Sequence, residues 1–184
     1  MTINLTDDEG TRTFTEFWQK MIDEGLVATN LTTWSDGWKE AVGEGKIASM
    51  FSGAWLPSLL MSNLPGTAGL WRVAQMPTPD GSYTTSENGG SALAVLQRSR
   101  KPEASYRFIE YACHNAEGIK ARVDGGAFPA DNITLSDREF LRKTTVTDER
   151  GIEIPYFGGQ EYNRVLSQAA ENVSTGYQYL PFEV

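Results

Sequence analysis

The chain has 184 residues, a mass of 20.3 kDa, a formal net charge of −8 and a sequence pI of about 4.7. That length suits one domain, or one and a half, with a sizeable core, and an acidic balance without a Lys/Arg run excludes nucleic acid as a partner. The lone Cys113 and lone His114 exclude an intramolecular disulfide, a cysteine-based zinc site and His-rich ligation, so neither metal nor cofactor is expected.

From the N-terminus, Thr6-Asp7-Asp8-Glu9 has capping-box form. Phe14, Phe17, Trp18, Met21 and Ile22 then follow at helical spacing, which predicts an amphipathic helix with its aromatic stripe in the core, ending near Gly25. Trp34 precedes a second helix capped by Ser35 and carrying Trp38, Ala41 and Val42. Residues 47–51 form a short apolar run between glycines and read as a strand. Gly53-Ala54-Trp55 then turns into a helix over 55–64 that has Pro57 in its first turn. Trp55 sits at the mouth of that turn, where the ring either anchors the helix on a sheet or offers a stacking platform to a ligand.

Residues 71–76 read as a second strand, followed by a stiff Pro77-Thr78-Pro79-Asp80-Gly81 turn. The polar stretch ending at Asn88-Gly89-Gly90 is either a turn or a place where a ligand approaches the backbone. Residues 92–96 are an unbroken apolar run of the kind covered on both faces of an α/β sheet. A helix opens at Lys101-Pro102-Glu103 and carries Cys113 as a small hydrophobe, with His114 at its end. Asn115 caps a shorter helix that runs to Gly125-Gly126. Phe128-Pro129 and Asp131-Asn132 read as a loop, and Ser136-Asp137-Arg138-Glu139 as a second capping box heading a helix with Phe140 and Leu141. Residues 144–155 look irregular. Tyr156-Phe157-Gly158-Gly159-Gln160 leads into the last helix, which Gly176 ends, and the tail 177–184 has no assigned structure. The alternation of helix and strand gives an α/β class.

No nucleophile elbow, Walker loop or dinucleotide fingerprint is present in the sequence, so no catalytic residue is assigned. Carboxylate chemistry is the one enzyme class left open. Glu87, Glu161, Asp131 and Asp124 sit near loops, and a pair of them could flank a glycosidic bond, which keeps a glycosidase as the alternative function. A purely structural or interaction domain is a third reading. The more specific constellation is aromatic residues beside glycine turns: Gly53 with Trp55; Asn88, Gly89 and Gly90; Phe128; and Tyr156 and Phe157 with Gln160. Such residues suit a sugar. An aromatic face stacks on the C–H face of a pyranose, while amides and exposed backbone groups replace the water bound to its hydroxyls.

The order of these segments resembles the extracellular solute-binding proteins of bacterial sugar importers of the ATP-binding-cassette (ABC) type, the maltose-binding-like family 1. The resemblance rests on Trp38, Gly45-Lys46-Ile47-Ala48-Ser49-Met50, Gly53-Ala54-Trp55, Trp71-Arg72-Val73-Ala74-Gln75-Met76-Pro77, Gly89-Gly90-Ser91-Ala92-Leu93-Ala94-Val95, and Lys101-Pro102-Glu103 through Ile109. It implies a periplasmic-binding-protein type II-like lobe, mostly helical with a small mixed sheet. The sugar is held between two lobes without chemistry, and closure presents the loaded protein to a membrane permease. It places residues 1–88 in the second lobe, has 89–131 cross to the first, and returns 132–184 to the second. It also makes Trp55 the stacking residue, Gly89-Gly90 a cleft-side crossing, and Tyr156, Phe157 and Gln160 further contacts. The family protein is extracytoplasmic, a surface lipoprotein or periplasmic. The chain is far shorter than the family and shows neither its leader nor its anchor cysteine, so it reads as a fragment of the C-terminal half. Residues 92–96 and the following helix would then lack sheet partners and promote self-association.

Overall fold

Local signals set most of the helices in the computed structural model, which describes residues 6–174. Helix α1, Glu9–Asp23, is capped by Asp8, whose carboxylate accepts from the Thr11 amide at 2.6 Å, so the cap lies two residues beyond the start of the expected box. Gly25 follows at φ +69°, the left-handed conformation that a helix-ending glycine adopts without strain. The aromatic stripe departs from expectation: no α1 residue is buried, and Phe14 is 64% exposed. Periodicity defines an apolar face but does not supply a surface to bury it. Its rings instead meet one another, with Phe14 and Phe17 about 6 Å from Trp18 (6.0 and 5.9 Å). Helix α2, Asp36–Gly43, starts as read, with the Ser35 hydroxyl accepting from the Trp38 amide, and it buries Trp38, Ala41 and Val42. The chain divides into two compact units, Met1–Ser49 and Met50–Val184.

The second unit begins with helix α3, Leu56–Asn63, which has Pro57 in its first turn and buries Leu60 and Met61; a single 3-10 turn, Pro65–Thr67, follows. Helices α4, Pro102–His114, and α5, Ala116–Asp124, pack on each other. Gly118 lies so close to the Tyr111 carbonyl that no Cβ would fit there, which is why this crossing needs glycine. Asn115 caps α5 as read. His114 is the last residue of α4, and Cys113 is half-buried there, with an Arg122 Nη1 donating toward its Sγ at 3.6 Å.

A short helix and two short strands replace stretches that read as loop or irregular chain, while the helix expected after the second capping box does form. Helix α6, Asn132–Leu135, is capped by Asp131, and helix α7, Arg138–Leu141, is capped by Asp137 in place of the expected Ser136. Strands β1, Val146–Thr147, and β2, Glu153–Ile154, then pair antiparallel, with Val146 opposite Ile154. Asp148 builds the turn between them by accepting from the amides of Arg150 and Ile152, with Gly151 at φ +80°. Helix α8, Tyr162–Glu171, closes the described chain. The expected stop at Gly176 and the tail 177–184 lie outside the described residues.

The expectation of a mostly helical α/β lobe with a small sheet holds in part: the helices form, but the sheet is an antiparallel pair and contains none of the three expected strands. Residues 47–51, 71–76 and 92–96 form no strand, and the described chain is mostly helical with one two-stranded sheet. A ladder needs a neighbouring backbone, and among the described residues none pairs with residues 91–95. Side chains hold residues 71–76 instead, and a backbone bridge holds Thr85. Gln160 mimics a ladder rung: its Oε1 accepts from the Val73 amide at 2.8 Å and its Nε2 donates to the Val73 carbonyl at 2.7 Å. Gln75 Nε2 donates to the Val165 carbonyl, and Thr85 forms a parallel bridge to Val173.

Candidate functional site

Trp55 caps α3 without a side-chain hydrogen bond to the helix, because an indole has no acceptor to offer the orphan amides. Its ring turns to the chain 33 residues on, where Nε1 donates to the Asn88 carbonyl at 2.9 Å. Gly53 completes the contact from the other side. A Cβ there would lie 2.5 Å from the Trp55 Nε1 and 2.6 Å from the Asn88 oxygen. Gly89, at φ +92°, stands just beyond: a Cβ on it would be 3.2 Å from the same nitrogen. Gly90, at φ +123°, continues into open space. Four of the nine expected site residues thus meet at one ring edge, and the fifth adjoins them. The ring leaves 37% of Trp55 exposed, so the residue is neither a core anchor nor free.

On the neighbouring side of the same turn lies an open groove of about 280 Å³. Ala54, Pro57 and Ser58 of the α3 entry form one wall, residues 124–128 a second, and residues 146–149 with Tyr162 and Asn163 a third. The first two walls touch closely. The Ser58 hydroxyl reaches the Gly126 carbonyl at 3.4 Å, and Gly126 sits at φ +92° where a Cβ would press on Ser58. Phe128, the sixth expected residue, lines this groove with its ring 6.0 Å from that of Phe140. The polar lining was not singled out in the sequence as a group: Ser58, Lys143, Asp148 and Asn163 come from four separate elements, and no local motif joins them. The Ile152 amide first and Arg150 second lower the Asp148 carboxyl below its ordinary value, and both of its oxygens already accept from those two residues.

The remaining three expected residues lie in and against the core. Tyr156 is fully buried; its hydroxyl donates to the Leu64 carbonyl at 2.8 Å and lies 2.7 Å from the Thr67 hydroxyl, which in turn accepts from Trp71 Nε1. Phe157 is 3% exposed and packs between Tyr156 and Tyr162. Gln160 spends both ends of its amide on Val73. Burial first, and Glu153 second, push the Tyr162 phenol up to about 12, while its hydroxyl donates to the Thr145 carbonyl. This layer fixes the groove wall from behind.

Three of the four carboxylates that kept a glycosidase open have other partners. Asp124 lines the groove but pairs with Lys120 at 2.8 Å, Glu161 pairs with Arg164, and Asp131 caps α6. Among the described residues, no cluster of His, Cys, Asp and Glu could hold a metal ion, and no helix is long and apolar enough to cross a membrane.

The second unit thus presents a tryptophan, held by its edge and partly exposed, beside a groove of mixed polar and apolar lining. No protein-family model and no curated protein sequence matches the chain. Among solved structures, it matches the ABC transporter associated binding protein from B. animalis subsp. lactis Bl-04 in complex with beta-1,6-galactobiose, at 51% identity and a TM-score of 0.87. The match covers 98% of this chain and 44% of that one, so the chain spans less than half the length of its relative. Over nearly its whole length, the chain is alike in sequence and fold to part of an ABC-transporter-associated solute-binding protein.

Proposed function

We propose that the chain is part of the sugar-binding component of an ABC importer, which captures a saccharide between two lobes and hands it on unchanged to a membrane permease. The observation that carries this reading is 51% identity, over almost the entire chain, to a transporter-associated protein in complex with a disaccharide. In this reading the described fold is a type II-like lobe of an extracytoplasmic protein, anchored by lipid or held in a periplasm. Residues 1–88 and 132–184 belong to the second lobe, and 89–131 cross to the first. Trp55 is the stacking platform, held by Gly53, Asn88 and Gly89, with Gly90 giving backbone access and Phe128 adding apolar surface in the groove. Tyr156, Phe157 and Gln160 serve the site from behind by fixing its wall. The commitment of Asp124, Glu161 and Asp131 to local partners supports binding over glycoside hydrolysis.

Titration of β-1,6-galactobiose into the 15N-labelled protein and its Trp55→Ala variant tests the reading. The expected result is a saturable shift of the Trp55 indole resonance, with affinity lowered by about 1–3 kcal/mol in the variant. Unchanged affinity removes Trp55 from the site. Release of reducing ends from the disaccharide would favour the glycosidase instead. We further propose that the apolar run 92–96 and helix α4 make the chain self-associate, with Leu96 76% and Phe108 65% exposed.

A further inference from the structure

The Trp55 indole is an unusual platform because its only polar atom is already used. Nε1 donates to a main-chain carbonyl, Asn88 O, at 2.9 Å, and that edge of the ring lies against two glycines. At position 53 any side chain would strike both partners of this bond, since a Cβ falls 2.5 Å from Nε1, 2.8 Å from Cδ1 and 2.6 Å from the carbonyl oxygen. The indole and the carbonyl belong to segments 33 residues apart, so neither could withdraw without opening the contact between the α3 entry and the 88–90 turn. Gly89 narrows the same slot and at φ +92° accepts a side chain only with strain.

We infer that Gly53 and the Asn88 carbonyl are positioning groups that fix the Trp55 ring in one orientation, so that it meets a ligand through its π face alone and donates no hydrogen bond to it. This rests on the stacking role proposed for Trp55 and gives the residues around it a different role, since they hold the ring and do not touch the solute. Affinity then depends on the absence of a side chain at position 53, although that position contributes no ligand contact.

The Trp55 Nε1–H resonance, identified by its loss in Trp55→Phe, reads the ring directly. In the unaltered protein it is expected to exchange slowly with solvent; exchange as fast as that of a free indole overturns the inference, and this arm requires no variant to fold. In Gly53→Ala the resonance is expected to move upfield and to exchange faster; an unchanged position and rate also overturn it. With β-1,6-galactobiose as the probe, Gly53→Ala is expected to weaken binding by up to about tenfold, the worth of one stacking contact. The same change in a Trp55→Phe background is expected to cost less, because the indole hydrogen bond that it breaks is already gone and only the crowding of the Asn88 carbonyl remains. If Gly53→Ala displaces the indole and leaves affinity unchanged, the positioning role stands and the stacking role of Trp55 falls.

Discussion

Two tyrosines on either side of the last glycine turn show how one side chain type serves both scaffold and site. Tyr156 is enclosed, with its hydroxyl bound to the Leu64 carbonyl and beside the Thr67 hydroxyl. Tyr162 is 7% exposed at the groove wall, where its hydroxyl reaches the Thr145 carbonyl at 3.2 Å. Burial and the nearby Glu153 raise the Tyr162 phenol to about 12, so the folded protein holds this proton more tightly than the unfolded chain does. A group raised in the fold contributes stability that is complete below its ordinary value near 10 and is lost as pH climbs through the folded value. Thermal melts between pH 9 and 12 should therefore show stability falling across the window from about 10 to about 12. Tyr162→Phe, despite losing the hydrogen bond to Thr145, should flatten that fall. An equally steep decline in the variant would place the alkaline sensitivity elsewhere.

At the scale of elements, the side chain of Gln160 takes the place of a neighbouring strand. Its amide satisfies both backbone groups of Val73 and fastens the extended segment 71–76 beside the start of α8. Gln160→Leu would leave the half-buried Val73 N–H and C=O without those partners, at an expected cost of about 1–3 kcal/mol in urea denaturation. The Val73 amide should lose its protection from hydrogen exchange more than amides within α3 do. Uniform loss across both segments would mean that Gln160 supports the whole unit and does not act as a local clasp. The same residue marks where the sequence was legible. Pro57, Pro102, Ser35 and Asn115 announce α3, α4, α2 and α5 because capping and proline preferences act within one turn of chain. The runs 71–76 and 92–96 have strand composition, but a strand exists only with a partner, and composition cannot supply one. Glycine turns beside aromatics singled out Gly53, Trp55, Asn88 and Gly89, which meet at one ring edge in the structure. They could not distinguish that cluster from Tyr156 and Phe157, because a turn's residue types do not say whether the neighbouring ring points inward.

Across the whole molecule, apolar surface opposes charge. Residues 91–95 have no backbone partner among the described residues, and Leu93 and Leu96 are 50% and 76% exposed; on α4, Tyr106, Phe108 and Tyr111 are each at least 48% exposed. An unpaired apolar run is a template for pairing with a second copy, which gains both buried area and ladder hydrogen bonds. The net charge of −8 resists that encounter, because two like-charged copies repel over about a Debye length, roughly 10 Å at 0.1 M salt. Salt shortens this range and leaves the apolar gain in place. Light scattering should accordingly give a mass that rises with protein concentration and rises further as salt is added, the reverse of an association held by ion pairs. Leu96→Lys places a charge in the run and should hold the protein closer to a monomer at every salt concentration. A strict monomer at high concentration and high salt would show that the 92–96 run is satisfied within one chain.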